Sequence, residues 1–510
     1  RKGPMALSFP SHNLTPPACL RKLLAMRNAI AVSVVSLGCA KNLVDTEVMC
    51  GDIVANGLYL AASPDDADVT LVNTCSFIRD ARDEADQAIR DALAWKKQAP
   101  RSSKRLVAVA GCLVQRNLAQ CRRDYPGVDL FLGLDDITSV AAKITAAVAA
   151  AGKRQPAAAI AGPDALPLPR YLYDHTTPRL TLTPNAFAYV KIAEGCNHRC
   201  AYCAIPGIRG DQRSRSMDSV IAECHQLLEQ GALELNFIAQ DSSRYGLDRK
   251  DGSTLAELLR RCDALPGDFW LRVLYTHPLY VNDELLDILA HGKHVVPYLD
   301  MPLQHISTPI LKAMRRGMDS EQTRALMAKI HDQYPNLTVR STFLVGFPGE
   351  TAADFQELLD FTTSYGFDRL GVFAFSPEEN TPAMAIREGL VPEEVAMARR
   401  EELLLAQQAI AARKNAAMVG KKLRVLLEEP LDKRHWQARS PGDAPDVDQL
   451  ITVKTPASRP RQQPCFADVV ITEADTYDLA ADLCPAEPDN KAGARTKSAA
   501  PTAKRRKTKR

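Results

Sequence analysis

No apolar run in the 510 residues reaches the roughly 20 needed to cross a bilayer as a helix, so no membrane span is expected. Cysteine is too sparse for a stapled secreted fold. Thirteen in a chain of this length are dilute, and their partial clustering reads as metal chemistry in a reducing compartment, which predicts a cytoplasmic protein. No internal repeat recurs, which sets solenoids and propellers aside. The body also lacks positive charge. Residues 484–510 hold nine Lys or Arg against two acids, a surplus of seven, so a net charge of +3 leaves the preceding 483 residues at about −4. On that balance the body is not a nucleic-acid-binding surface.

What is present is an ordinary globular composition, 46% hydrophobic and 25% charged, at a length that suits about three domains. Residues 1–30 are Pro-rich, basic and unpatterned, an expected unstructured extension with Met26 as a candidate start. Arg27, the apolar Ala29 to Gly38 and then Cys39 mimic a lipoprotein signal, but Ser36 stands where an aliphatic residue is expected. The runs Val32 to Leu37, Val69 to Asn73 and Leu106 to Ala110, each followed by a helical pattern, predict a parallel α/β domain over 31–150. A Pro/Ala-rich linker is expected over 151–184. Six further strands are expected at Phe187 to Ile192, Leu233 to Ala239, Phe269 to Tyr275, Val296 to Met301, Thr338 to Val345 and Leu370 to Phe375. They predict a partial (β/α)6 TIM-like barrel over 185–417, open sideways towards a large substrate. Alternating segments over 418–483 predict a small all-β domain, and 484–510 a disordered basic tail.

Cys196, Cys200 and Cys203 follow the first barrel strand with the spacing Cys-x-x-x-Cys-x-x-Cys. A structural zinc site wants four ligands, and Cys224 lies 21 residues further on, so no closed knuckle forms locally. Three thiolates would instead hold a cubane iron-sulfur cluster with one iron left open, free to chelate the amino and carboxylate groups of S-adenosylmethionine. Cys39, Cys75 and Cys112 each fall one or two residues past an amino-terminal strand. In a parallel sheet such positions converge on one edge, where helix amino termini favour anions. A second cluster is expected there, against the alternative of three buried structural cysteines. Cys19, Cys50, Cys121, Cys224, Cys262, Cys465 and Cys484 receive no role.

Four stretches carry a resemblance. They are Val35-Ser36-Leu37-Gly38-Cys39-Ala40-Lys41-Asn42-Leu43-Val44-Asp45, Asn73-Thr74-Cys75-Ser76-Phe77-Ile78, the Cys196 motif with Ile208-Arg209-Gly210, and Arg340-Ser341-Thr342-Phe343 through Gly346-Phe347-Pro348-Gly349-Glu350. Over about Val32 to Leu483 the chain resembles the ribosomal protein aspartate methylthiotransferases, a family of the radical S-adenosylmethionine superfamily. Ala40 stands where that family commonly has proline, and the TRAM-like segment is recognisable mainly through Asp443-Ala444-Pro445-Asp446-Val447-Asp448.

The resemblance implies a methylthiotransferase domain, a radical S-adenosylmethionine core and a TRAM domain. It implies replacement of a hydrogen on the β-carbon of an aspartate in small-subunit ribosomal protein twelve by a methylthio group. That C–H bond is unactivated, so a radical and not a side-chain base must take the hydrogen. The implied cofactors are two [4Fe-4S] clusters and S-adenosyl-L-methionine, cleaved at the cluster of Cys196, Cys200 and Cys203, with sulfur carried at that of Cys39, Cys75 and Cys112. Tyr202 is implied against the adenine, Gln240 and Arg340 on the ribose and methionine carboxylate, and Gly346 with Gly349 beside the adenosine. Implied partners are ribosomal protein twelve, with the ribosome as one place to meet it, an electron donor such as flavodoxin or ferredoxin, and a sulfur source. The basic tail would be solvated or in electrostatic contact with ribosomal RNA.

Two other readings compete. The sister, MiaB-like family methylthiolates an adenosine in transfer RNA with the same clusters and fold. Residues 420–483 carry nine basic and eleven acidic residues, a balance expected to suit a basic ribosomal protein and not RNA. The other rival is a non-catalytic iron-sulfur scaffold that binds the ribosome. The intact Gly346 to Glu350 turn argues against it, since a scaffold seats no cofactor.

Overall fold

The computed structural model describes residues 29–99, 105–152, 165–184, 186–456 and 463–484. The expectations for residues 1–28 and for the basic tail 485–510 lie outside them.

The first domain is a parallel sheet of β1 (Ala31–Ser36), β2 (Tyr59–Leu60), β3 (Val69–Thr74), β4 (Leu106–Gly111) and β5 (Leu130–Leu132), in the order β2-β1-β3-β4-β5. Two- and three-residue strands are too short to show a period, which is why β2 and β5 escape the sequence pattern. Helices cover both faces, so β3 and β4 are buried along their whole length. Val44, Val48 and Met49 of helix Ala40–Ala55 pack on Val32 and Leu71. On the other face Ala85 and Ile89 of helix Arg79–Lys97 meet Val72, Val107 and Val109.

The second domain holds β6 (Phe187–Lys191), a short hairpin of β7 (Ala193–Glu194) and β8 (Arg213–Ser214), then β9 (Glu234–Ile238), β10 (Trp270–Val273), β11 (Tyr298–Asp300), β12 (Thr338–Val345) and β13 (Arg369–Ala374). The parallel ladders β6-β9-β10 and β11-β12-β13 meet where Leu271 N donates to His294 O at 2.8 Å and Val296 N to Leu271 O at 2.9 Å. Six parallel strands thus form an open arc, the partial (β/α)6 barrel. Leu235, Phe237, Leu271, Val339 and Phe343 point outward into the helix-covered core. Alternation turns Tyr189, Lys191, Asn236, Arg272, Asp300 and Arg340 into the lumen, which is polar.

The third domain is a closed barrel of β14 (Lys422–Pro430), β15 (His435–Arg439), β16 (Ile451–Lys454), β17 (Cys465–Ala474) and β18 (Leu479–Leu483), in the order β14-β15-β16-β18-β17. Val425, Leu427, Trp436, Val453, Val469 and Ile471 fill it. It plugs the amino-terminal mouth of the arc, since its partners Glu234, Tyr298 and Arg369 are the first residues of β9, β11 and β13. Arg439 Nη2 lies 2.5 Å from Glu234 Oε2, Arg369 Nη2 2.6 Å from Asp443 Oδ1, and the Tyr298 hydroxyl donates to Asp448 Oδ2 at 2.5 Å. One expectation is corrected here. The carboxylates of Glu428, Asp443 and Asp448 are buried against arginines, and removing them and Arg439 from the count over 420–483 leaves eight charges of each sign. The acidic surplus faces inward, so it says nothing about a basic partner.

The described part of the 151–184 stretch is a strap. Arg179 reaches Glu47 of the first domain and Glu223 of the second, each at 2.6 Å. On the far side, Glu378 in the loop after β13 accepts from Arg82 and, at 3.1 Å, from Arg116 of the first domain. No helix among the described residues is long and apolar enough to cross a membrane.

Candidate metal centres

Cys39, Cys75 and Cys112 stand at the carboxyl ends of β1, β3 and β4, which are neighbours in the sheet. Cys39 is the N-cap of helix Ala40–Ala55, and Cys112 opens helix Cys112–Asp124. Two glycines allow the convergence. A Cβ on Gly38, at φ +91, would lie 2.6 Å from Cys75 Cβ, and one on Gly111, at φ +97, would lie 2.3 Å from Asn73 Oδ1. Asn42 Nδ2 donates to Leu37 O at 2.6 Å, and Asn73 Nδ2 to Asn42 O at 2.9 Å, which pins the β1 turn to β3. Cys39 is exposed, while Cys75 and Cys112 are buried. Burial pushes the Cys75 thiol up to about 12, with Cys39 and Cys112 adding to it. The Cys39 residue keeps solvent contact, but protein packs around its thiol and this desolvation acts the same way, yet Lys41, Arg209 and the Asn42 and Lys41 N–H groups outweigh it and hold the thiol below its ordinary value. The Ser76 hydroxyl beside this triad is buried without a partner, a donor left for a ligand.

The second triad occupies the loop after β7. Cys196 and Cys200 are buried and Cys203 half-buried. Cys196 N donates to Gly210 O at 3.0 Å, Ala201 N to Met314 O at 3.0 Å, and Cys203 N to Cys200 O at 3.1 Å, so the loop is tied down at or beside each cysteine. Arg316, fully enclosed, aims Nη1 at Cys200 Sγ, 3.5 Å away. His198 bonds Asp241 at 2.7 Å, and its ring stacks on His277 at 3.9 Å. Among the described residues no three His, Cys, Asp or Glu side chains close on a single-ion position. A mononuclear zinc would draw thiolate sulfurs to about 3.8 Å from one another given Zn–S of about 2.3 Å. A cubane takes each thiolate on a different iron, so a cluster does not require the three sulfurs to close on one ion.

Beside Cys112 lies a charge network shared between the first domain and the barrel. Arg209, six residues past Cys203, puts Nη2 3.3 Å from Cys112 Sγ and 2.8 Å from Asp45 Oδ2, and Nη1 3.0 Å from Glu194. Lys191 Nζ completes it by donating to Asp45 and, at 2.5 Å, to Glu194. All four charged side chains are buried and their charges cancel, which is what makes such a cluster tolerable away from water. Lys41 Nζ reaches the same interface, 3.3 Å from Ala239 O past β9 and 3.3 Å over the Tyr275 ring past β10. The first domain is therefore docked on the carboxyl mouth of the arc, where parallel barrels keep their chemistry.

The implied cofactor-seating residues fall in different settings. Tyr202 packs beside Phe347 and Met314 and accepts from Arg316 Nη1 at 3.4 Å. Gln240, two residues past β9, donates to Glu194 at 3.3 Å and leaves Oε1 buried without a partner, so an acceptor remains for a ligand. The Arg340 guanidinium is taken by Asp300 at 3.1 Å and Asp448 at 3.3 Å. Gly346 has a packing reason to be glycine, because a Cβ there would lie 2.3 Å from Ala396 Cβ, whereas Gly349 faces open space. The Gly346 to Glu350 turn is thus explained without a ligand and does not by itself argue against a scaffold. Sequence reading gave no role to Lys41, Asp45, Lys191, Glu194 or Arg316. The only signal for the first two was their place inside the quoted run around Cys39.

Residues 31–133 match the family model described as Uncharacterized protein family UPF0004, residues 190–362 the Radical SAM superfamily, and residues 419–484 the TRAM domain. The ribosomal protein uS12 methylthiotransferase RimO of Syntrophotalea carbinolica is 40% identical over 454 residues, covering 89% of this chain and 96% of that one. Its counterpart from Opitutus terrae is 41% identical over 472 residues, with 89% and 96% covered. That from Akkermansia muciniphila is 40% identical over 467 residues, with 89% and 100% covered. Among solved structures, the radical S-adenosylmethionine methyltransferase TsrM from Kitasatospora setae, with cobalamin and a [4Fe-4S] cluster bound, shares the fold at a TM-score of 0.50 and 16% identity, over 74% of this chain and 85% of that one. With that similarity running along nearly its whole length, the chain belongs to the RimO family of ribosomal protein uS12 methylthiotransferases.

Proposed function

We propose that the chain transfers a methylthio group to the β-carbon of an aspartate in ribosomal protein uS12, using S-adenosyl-L-methionine and two [4Fe-4S] clusters. The observation that supports this reading is the bond to Cys112 from Arg209, which stands six residues past Cys203 on the barrel and so brings the carrier of one cysteine triad against a thiol of the other. When bound, the clusters and S-adenosylmethionine supply the radical that an unactivated C–H bond requires and the sulfur that replaces the hydrogen. The chain's own residues do the rest. Cys196, Cys200 and Cys203 hold the cluster that S-adenosylmethionine meets, and Cys39, Cys75 and Cys112 the second. Gln240 Oε1 offers an acceptor to the bound cofactor. Ala201, Ile310, Met314 and Phe347 form a dry wall behind the barrel triad that keeps water from a reactive radical.

Substrate choice rests on the relatives, since the charge of the TRAM domain does not discriminate protein from RNA. A cytoplasmic setting, an electron donor of the flavodoxin or ferredoxin class and a sulfur source complete the reading. The test is the mass of uS12 from cells with and without this gene. Protein heavier by one methylthio group only when the gene is present is the expected result. An unchanged uS12 beside a methylthiolated transfer RNA adenosine would move the chain to the sister activity.

A further inference from the structure

Arg209 is carried by the barrel, yet the thiol it touches belongs to the other domain. Its Nη2 lies 3.3 Å from Cys112 Sγ and 2.8 Å from Asp45 Oδ2, and its Nη1 bonds both oxygens of Glu194 at 3.0 Å. A guanidinium fixed at three points by buried carboxylate oxygens has no freedom to turn away, so the fourth contact is built and not incidental. No other cysteine of either triad receives a side-chain donor from the opposite domain among the contacts of the described residues. Arg316 serves Cys200 from within the barrel itself.

We propose that Arg209 is a positioning residue for the amino-terminal cluster, raising its reduction potential by hydrogen bonding to the Cys112 ligand and by placing a cation beside it. A donor to a ligand sulfur withdraws electron density from it, and a nearby positive charge favours the more negative, reduced cluster. The barrel triad has no such tie to Arg209 and takes its own donor from Arg316, so removing Arg209 acts on the amino-terminal cluster alone. Domain docking becomes a condition for that setting, because undocking takes Arg209 away from Cys112. The inference rests on the reading that Cys39, Cys75 and Cys112 hold a cluster.

Two variants of the full chain test it. Arg209→Lys keeps the charge and loses the fork. Arg209→Gln with Asp45→Asn removes one buried charge of each sign, so the remaining Lys191 and Glu194 stay balanced. Each is reconstituted anaerobically, assayed for iron, melted, and titrated electrochemically with EPR detection of each cluster. The charge-balanced variant is expected to lower the reduced-to-oxidised ratio of the amino-terminal cluster at least tenfold at fixed potential, a shift of about 59 mV for one electron. Arg209→Lys should fall between it and the native chain, and the barrel cluster should not move. Loss of iron from the amino-terminal triad alone, with the melting temperature kept, would equally support a role at that triad. An unmoved potential at full iron content, equal shifts of both clusters, or loss of both clusters with the fold would overturn the proposal. Native chain that binds only the barrel cluster's iron would instead overturn the two-cluster reading itself.

Discussion

Arg439 on β15 and Glu234 on β9 form a fully buried ion pair at 2.5 Å that fastens the third domain to the arc. Burial alone would raise the Glu234 carboxyl, but Arg439 and Arg272 outweigh it and hold it below its ordinary value. The stability it contributes is therefore complete above the ordinary carboxylate range and is lost as pH falls through the folded value. Removing one partner leaves a buried arginine uncompensated. Glu234→Gln is expected to cost about 3–5 kcal/mol, read as a lower melting temperature at pH 7 with a smaller deficit at acid pH.

Replacing Cys39, Cys75 and Cys112 by alanine should leave deoxyadenosine formation and stop methylthiolation, since the barrel triad is untouched. Iron should fall from about eight per chain to about four, as expected for losing one of two cubanes. Product chromatography beside mass spectrometry of uS12 checks it, after a melting curve confirms the fold. Full methylthiolation by a folded variant would return the three cysteines to a structural role.

Arg340 is expected to act on docking and not on cofactor affinity, because Asp300 and Asp448 occupy its guanidinium. Arg340→Gln should lower the melting temperature and change the KM for S-adenosylmethionine in the cleavage reaction less than threefold. A KM raised tenfold or more at unchanged stability would place Arg340 on the cofactor.

Gly346→Ala should destabilise by at least ~2 kcal/mol, from a left-handed backbone at φ +74 and a clash with Ala396 Cβ. Adding Ala396→Gly should recover the part due to the clash. No recovery in the double variant would mean that something other than Ala396 requires the glycine.

Burial pushes the Cys50 and Cys121 thiols up to about 12, so both stay protonated at pH 8. Iodoacetamide treatment of the reconstituted protein is expected to leave both unmodified by peptide mapping. Rapid labelling of either would show that its region opens.

The placing of each cysteine triad was legible because its signal is local: three cysteines within eight residues, and three single cysteines each just past a strand. The three layers followed from apolar runs of ordinary length. Arg209 with Asp45, and Lys191 with Asp45, were not legible, since the partners stand 164 and 146 residues apart and a charge in a sequence does not declare its side of the surface. The same blindness misread the third domain, whose Asp443 and Asp448 were counted as surface acid while they sit against Arg369, Arg340 and Tyr298.

The strap through Arg179 has one more consequence. It binds Glu47 and Glu223 by its guanidinium and the Tyr189 carbonyl at 2.7 Å, while Leu182 N adds a bond to Glu47 at 2.7 Å. The polypeptide between the first two domains is thus not their only bond. Expressed as two separate genes divided within 153–164, the halves carry matching adhesive surfaces, and the strap on the second half keeps its grip on the first. Such a split enzyme would bring its two cysteine triads together by association alone, with activity that rises with concentration in the manner of a dimer.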